Sequence, residues 1–536
     1  MKAPGEAAAR PVSLEWLAGT AMLLPGMGEH TRAIGAESKE AQAYFDQGLN
    51  LLYGFNHDEA ARSFAKAAAL DPMCAMCFWG VSIALGPNYN MPMLRGRTAL
   101  AWEALVRARK LAGQAREVDQ ALIGALSKRY VGPLYSPPSV QHKRDEAYAA
   151  AMREVAAAYP EDADVQVLFA ESLMDLDPWR LWTASGQPRA QTMEIVRTLE
   201  EVLARAPLHP GANHYYIHAV EASTQPSRGL AAAERLRGLV PGAGHLVHMP
   251  AHIFARVGRW EEASAQNRAA AEVDVRAMKR LPPWGYYPMY LAHNYAFLSY
   301  TSAMEGRRAE SLQAARDAAG VLDKEMLRRM PGMEIAAAAP LQAMVRFGRW
   351  EELLEEPRPE PRFLTLDALW LYARGMALAA KQRIPDARAR HAELVKRTAD
   401  VSPGQPAGNN KARDVMDLAA KVLEASIAER ARDPGAIEAW TAAVELSDEL
   451  AYGEPPDWFF PVRHALGAAL IDAGKFAEAE AVYREDLGRN PENGWALFGL
   501  ARALRGQGSM KEAAEVEQRF EKAWARAELR ISSSAY

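Results

Sequence analysis

The chain has 536 residues, of which 49% are apolar and 24% charged, with a net charge of −4. That length is far beyond one small core and calls for several domains or an extended array of repeats. The near-neutral balance, without a basic face or tail, gives no electrostatic basis for binding nucleic acid or an anionic membrane. No apolar run approaches the roughly 20 residues that cross a bilayer.

Residues 1–38 read as a structured lead-in. The apolar stretch Leu17 to Leu24 follows Glu15 and lacks a clean basic segment before it, so a signal peptide is not expected and a cytoplasmic location is. Cys74 and Cys77 are the two cysteines of the chain. Their CxxC spacing fits redox chemistry or half a zinc site. With no second CxxC, and with an apolar helix start around them, core packing is the expected role. Alanine-rich texture and scarce β-branched alternation predict an all-α fold.

Residues 39–160 open a repeating pattern. The segment at 41–74 gives a large residue, a break near Phe55–Asn56, then Ala60, Phe64, Ala67 and Pro72. Proline cannot continue a helix and restarts the chain. In 161–310 the period becomes explicit. HYYIHAVE (214–221) and HLVHMPAH (245–252) are offset so that 248 − 214 = 34 and 252 − 218 = 34. Thirty-four residues is the period of the tetratricopeptide repeat, a helix-turn-helix unit that stacks into an α-solenoid superhelix with a concave groove. Two insertions interrupt the period, DPWRLWTASGQPR (177–189) and LPPWGYYPMY (281–290); inserts of this kind are often functional, here as lids over the groove. Residues 311–450 continue as divergent helical pairs with a polar loop at 403–414. GRW recurs at 258–260 and 348–350, marking turns into second helices. Residues 451–536 return to regular repeats, with Ala479 and Ala513 one period apart, and end in a capping helix over 511–530.

The histidines carry the chemistry. Six of the twelve lie between 214 and 293. At 100° per residue, His214, His218 and Glu221 share one helix face, as do His245, His248 and His252. His293 falls at the same face of the following repeat, Glu171 at that of the preceding one, and Arg256 beside His252. Helices packed 8–10 Å apart would let these rings converge. His214, His218, His245, His248, His252 and His293 are therefore candidate metal ligands, with Glu221 and Glu171 as catalytic bases or further ligands. Arg256 is a candidate fork for a substrate carboxylate, or equally a surface ion pair. A peptide-binding polar groove and a structural histidine ladder are the other readings of the same face. His57 reads as a cap or turn contact with Asp58.

Neutral imidazole suits zinc, copper, iron and nickel, and the shortage of carboxylates leads away from magnesium and calcium. Three plus three imidazoles suit a copper pair, so copper is slightly favoured over iron or zinc. The expected protein is a metalloenzyme, with redox chemistry on a small organic substrate narrowly preferred to hydrolysis. The alternative is a repeat scaffold holding a peptide or protein partner in the same groove.

Five segments resemble a family of bacterial tetratricopeptide-repeat proteins: QGLNLLYGFNHDEA (47–60), DPMCAMCFWG (71–80), GPNYN (86–90), HPGANHYYIHAVEAS (209–223) and GHLVHMPAHIFARVGRW (244–260). The resemblance covers roughly residues 25–310 and implies a fold and a site more than a reaction. Cys77 departs from it at a position expected to hold a small residue.

Overall fold

A computed structural model describes residues 12–36, 38–281 and 287–536. The described chain is helical nearly throughout. The exceptions are the connections and one short antiparallel pair, Pro406–Ala407 with Asn410–Lys411, in the predicted polar loop. None of its helices is long and apolar enough to cross a membrane. The fold is the expected all-α solenoid, with sequential helices packed as antiparallel pairs.

The helices used below are α1 (Leu14–Thr20), α2 (Lys39–Tyr53), α3 (His57–Leu70), α4 (Ala75–Ala84), α5 (Ala163–Met174), α6 (Pro210–Glu221), α7 (Gly244–His248), α8 (Pro250–Arg256), α9 (Trp260–Met278) and α10 (Tyr287–Met304). In the C-terminal half they are α11 (Ala339–Arg346), α12 (Leu364–Ala380), α13 (Arg463–Asp472), α14 (Phe476–Arg489), α15 (Gly494–Gly506) and α16 (Met510–Ala523).

Small residues let the pairs approach closely. A Cβ on Gly48 of α2 would sit 2.8 Å from the Phe64 ring, and one on Gly80 of α4 would sit 2.4 Å from it. Phe64 of α3 is thus clasped between two glycine faces. The GRW turns form as expected: Gly258 and Gly348 have φ of 80° and 61°, a backbone region that costs glycine little. Trp260 and Trp350 then start helices.

Two large hydrophobic cores divide the solenoid, one spanning mainly Leu14 to Phe347 and the other Ile335 to Val516. The C-terminal repeats fold back onto the histidine-bearing ones. Trp495 Nε1–H donates to the Ala303 carbonyl at 2.8 Å, and Trp260 Nε1–H donates to that of Pro491 at 2.8 Å.

Two expectations are corrected. Cys74 and Cys77 are buried as expected, but they are joined by a disulfide. Cys74 is the N-cap of α4, so the first helical turn brings its sulfur over that of Cys77. The last helix ends at Ala523, short of 530. Residues 524–536 turn back instead, and Ser534 is buried against Tyr483 and the His464 carbonyl.

Candidate metal centre

Three successive first helices, α6, α7–α8 and α10, bring all six candidate histidines together. They form two groups of three, His214–His218–His245 and His248–His252–His293, each with ring nitrogens within 4.8 Å of one another. Each group takes two rings from one repeat and the third from the next. The second group is the first moved along the solenoid by one period: 214 + 34 = 248, 218 + 34 = 252, and 245 + 34 + 14 = 293, the 14 being the insertion before α10. Their geometries agree. Ring centroids in the first group are 4.9, 5.0 and 6.3 Å apart, and in the second 4.7, 4.7 and 6.3 Å. The groups adjoin, with His218–His252 at 5.5 Å and His245–His248 at 5.8 Å.

The proton positions follow from the partners. His214 Nδ1–H donates to the Tyr53 carbonyl at 2.5 Å and His218 Nδ1–H to Glu221 Oε1 at 2.8 Å. His248 Nδ1–H donates to Asn267 Oδ1 at 2.6 Å, and the Asn267 amide is oriented by its own donation to the Ala263 carbonyl. His252 Nδ1–H donates to Glu221 Oε2. With Nδ1 protonated in all four, each Nε2 carries a lone pair. The Nε2 atoms of His214 and His218 have no hydrogen-bond partner, and neither nitrogen of His245 has one. In the second group His248 Nε2 lies 2.7 Å from His252 Nε2 and 3.0 Å from His293 Nε2. Two lone pairs facing at that distance repel unless a proton or a cation lies between them.

Burial disfavours the proton. It pushes His214, His245 and His248 well below the usual histidine range, with neighbouring imidazoles adding to the effect. His293 is pushed down to about 3 by the same causes. A set of neutral, buried imidazoles with bare Nε2 atoms and oriented Nδ1–H groups is the donor set that divalent transition metals take. These residues fit such an ion.

The groups are enclosed. His214, His218, His245, His248 and His252 are between 0% and 3% exposed, and His293 is partly buried. Trp179, from the first predicted insertion, packs 5.4 Å from His218 and 6.5 Å from His252. Tyr290 of the second insertion packs 4.7 Å from His245; its residues 282–286 lie outside the described structure. Sequence reasoning missed Phe55, Tyr89 and Phe297, which line the same chamber. It also missed Asn267, which lies on a second helix and outside the first-helix frame. Phe55 and Tyr89 do fall in the FNHDEA and GPNYN segments.

Glu221 sits between the groups and bonds one histidine of each. Burial pushes its pKa up, but His252 and His218 outweigh this and hold it down to about 2. It is an anion that orients two imidazoles. Glu171 of α5 belongs to a different buried network, with Arg129, Asp145 and Asp175. Burial, reinforced by Asp145 and opposed by Arg129, raises it to about 7. Arg256 donates to the main-chain carbonyls of Glu221, Arg489 and Ser223, so its fork ties α6 and α8 to the C-terminal half. His57 Nδ1–H donates to the Ala84 carbonyl at 2.9 Å, not to Asp58.

Residues 470–519 match the family model of the tetratricopeptide repeat. No curated protein matches the chain. Among solved structures, a human IFIT1 dimer with m7Gppp-AAAA is 13% identical with a TM-score of 0.38, covering 91% of each chain. Yeast Tom70 is 12% identical with a TM-score of 0.29, covering 90% of this chain and 91% of its own. The Cut9–Hcn1 complex is 12% identical with a TM-score of 0.33, covering 93% of this chain and 79% of its own. At these scores no ligand or partner is carried over.

Proposed function

We propose that the chain is a tetratricopeptide-repeat scaffold for a peptide or protein partner, and that its interior holds a transition-metal centre. The repeat at 470–519 supports the scaffold role, because stacked helical pairs present extended surfaces to partners. Such a partner would meet the outer helical faces, since the histidines are enclosed.

One observation carries the metal centre: two geometrically equivalent groups of three imidazoles, each group with one ring nitrogen per residue lying within 4.8 Å of the others. His214, His218 and His245 would hold one ion and His248, His252 and His293 another. Glu221, Asn267 and the Tyr53 carbonyl hold the rings in the tautomer that leaves Nε2 bare. A three-plus-three imidazole set suits copper best, ahead of iron and zinc. A metal pair of this kind supplies redox chemistry when bound, and oxidation of a small organic substrate is the narrower form of the proposal. This chain's own contribution is to fix the rings, exclude water through Trp179 and Tyr290, and keep Glu221 ionised between the groups.

Elemental analysis of the purified protein tests the metal reading. Two transition-metal ions per chain, lost in a His214→Ala/His248→Ala variant that remains folded, support it. Metal-free protein that takes up no copper, iron or zinc ends it. The scaffold reading is tested by a peptide array probed with the intact chain. Binding that weakens when the exposed Arg502 and Arg505 of α15 are both changed to Glu supports it; no saturable peptide binding opposes it.

A further inference from the structure

Far along the chain from the histidines, a cavity of about 410 Å³ opens among α11, α12, α13 and the returning segment 532–536. That size falls within the roughly 300–1,000 Å³ of small-molecule sites. Its walls are aromatic, with Trp350, Tyr372, Trp458 and Phe460. Its lining also contains Arg346, which is 6% exposed.

Arg346 is unlike the other deeply buried arginines. Arg129 pairs with Asp145 and Asp175, and Arg32 with Asp119, Asp162 and Asp164. Among the described residues no carboxylate lies within ion-pair distance of Arg346. One Nη–H donates to His464 Nδ1 at 2.9 Å, and the other Nη–H reaches the Ser534 carbonyl at 3.4 Å. The guanidinium lies 3.7 Å from the Trp495 ring centre and 5.1 Å from that of Phe460. Its Nε–H is buried with no partner.

The histidine does not supply the missing charge. Because His464 Nδ1 accepts from arginine, its proton is on Nε2 and is donated to Asp486 at 2.9 Å. Asp486 is further taken up by the amides of Asn490 and Asn493. Burial pulls Arg346 down to about 9 against the opposing field of Asp486, which stands beyond His464 and makes no ion pair with it, and this leaves the guanidinium charged at neutral pH. A desolvated cation with an unpartnered buried donor is costly unless an anion completes it. Two further lining residues restrict what that anion can be. Glu429 accepts from Trp440 Nε1 at 2.9 Å, and Asp472 also lines the cavity; both would repel a second negative group.

We propose that this cavity binds a small monocarboxylate with an aromatic or apolar body. The carboxylate pairs with the Arg346 guanidinium through a charge-assisted contact, and the body lies among Trp350, Tyr372 and Trp458.

Benzoate, 3-phenylpropionate and indole-3-acetate, each beside its neutral amide, are titrated calorimetrically into the full chain. The titrations are run both as purified and after chelation, to separate this site from the metal centre. At least one acid should bind with 1:1 stoichiometry, at least tenfold tighter than its amide and equally well in both metal states. Arg346→Met should abolish the preference for acid over amide. If that variant fails to fold by circular dichroism, the acid–amide ratio in the unaltered chain decides alone. A Trp458→Ala variant should then weaken acid and amide together. No saturable binding of any of the three acids overturns the proposal. So does equal affinity for acid and amide, binding that vanishes on chelation, or a folded Arg346→Met variant with unchanged preference.

Discussion

Two kinds of buried histidine coexist in this protein, and their hydrogen bonds separate them. At His464 both ring nitrogens are matched, one to Arg346 and one to Asp486. His209 is matched likewise, accepting from the Ala212 N–H and meeting Asp164. The group His30–Asp164–His209 has spacing that could hold a metal ion, but Arg32 and the Tyr53 hydroxyl already occupy the Asp164 carboxylate. In the 214–293 region Nδ1 is matched on four rings, while their Nε2 atoms face no partner or only another imidazole nitrogen. A histidine satisfied at both ends is a structural polar group. A cluster satisfied at one end is an invitation to a cation.

That contrast can be broken experimentally. The largest effect should come from metal removal. An ion bound only by the folded state, at free concentrations about 1,000 times its Kd, contributes about 4 kcal/mol. Thermal melts before and after chelation should therefore differ markedly, and coincident melts would count against the centre. Replacing His464 by Ala should cost about 2–3 kcal/mol, because Asp486 and Arg346 both lose a buried partner. Its metal content should not change. Equal loss of metal there would erase the distinction between the two kinds of site.

Glu221→Gln keeps the shape but removes one of the two acceptors for imidazole N–H groups. Metal affinity should fall about 10–100-fold, read by competition with a chromophoric chelator, with the helical content unchanged. Summed over the rings, pH gives a test comparable in size to metal removal. His214, His245, His248 and His293 have folded pKa values below that of an unfolded histidine, about 6.5. Below that pH the unfolded chain binds more protons, so stability is full above about 6.5 and falls as pH drops. The slope is up to roughly 1.4 kcal/mol per pH unit for each such ring. Denaturant melts of metal-free protein at pH 7.5 and 5.5 should show it, and a flat profile would refute the assigned neutral state.

Much of this is legible in the sequence alone. The 34-residue offset between His214 and His248 put the two groups in register because a solenoid repeats its geometry along with its sequence. His293 was found by the same frame once the insertion before it was counted. The insertions read as lids over the groove, but how completely the site is enclosed was not legible. It depends on Trp179, and on the C-terminal repeats returning to dock Trp495 on Ala303 and Pro491 on Trp260, contacts across roughly 200 residues that periodicity does not encode. Glu171 fitted the frame, yet its neighbours are Arg129 and Asp145 from earlier in the chain and Asp175 at the end of its own helix. Arg256 sat beside His252 as expected, but carbonyls exposed at helix ends, including Arg489, took its donors. The disulfide between Cys74 and Cys77 escaped because a CxxC in an apolar helix start reads the same whether the sulfurs are joined or apart.

The central claim is that one repeat translation builds two equivalent three-histidine sites. Counting bound metal in four folded proteins tests it most directly. The account predicts two ions in the unaltered chain, one in His214→Ala, one in His248→Ala and none in the double variant. An unaltered chain that binds no ion, or a double variant that keeps two, would contradict it.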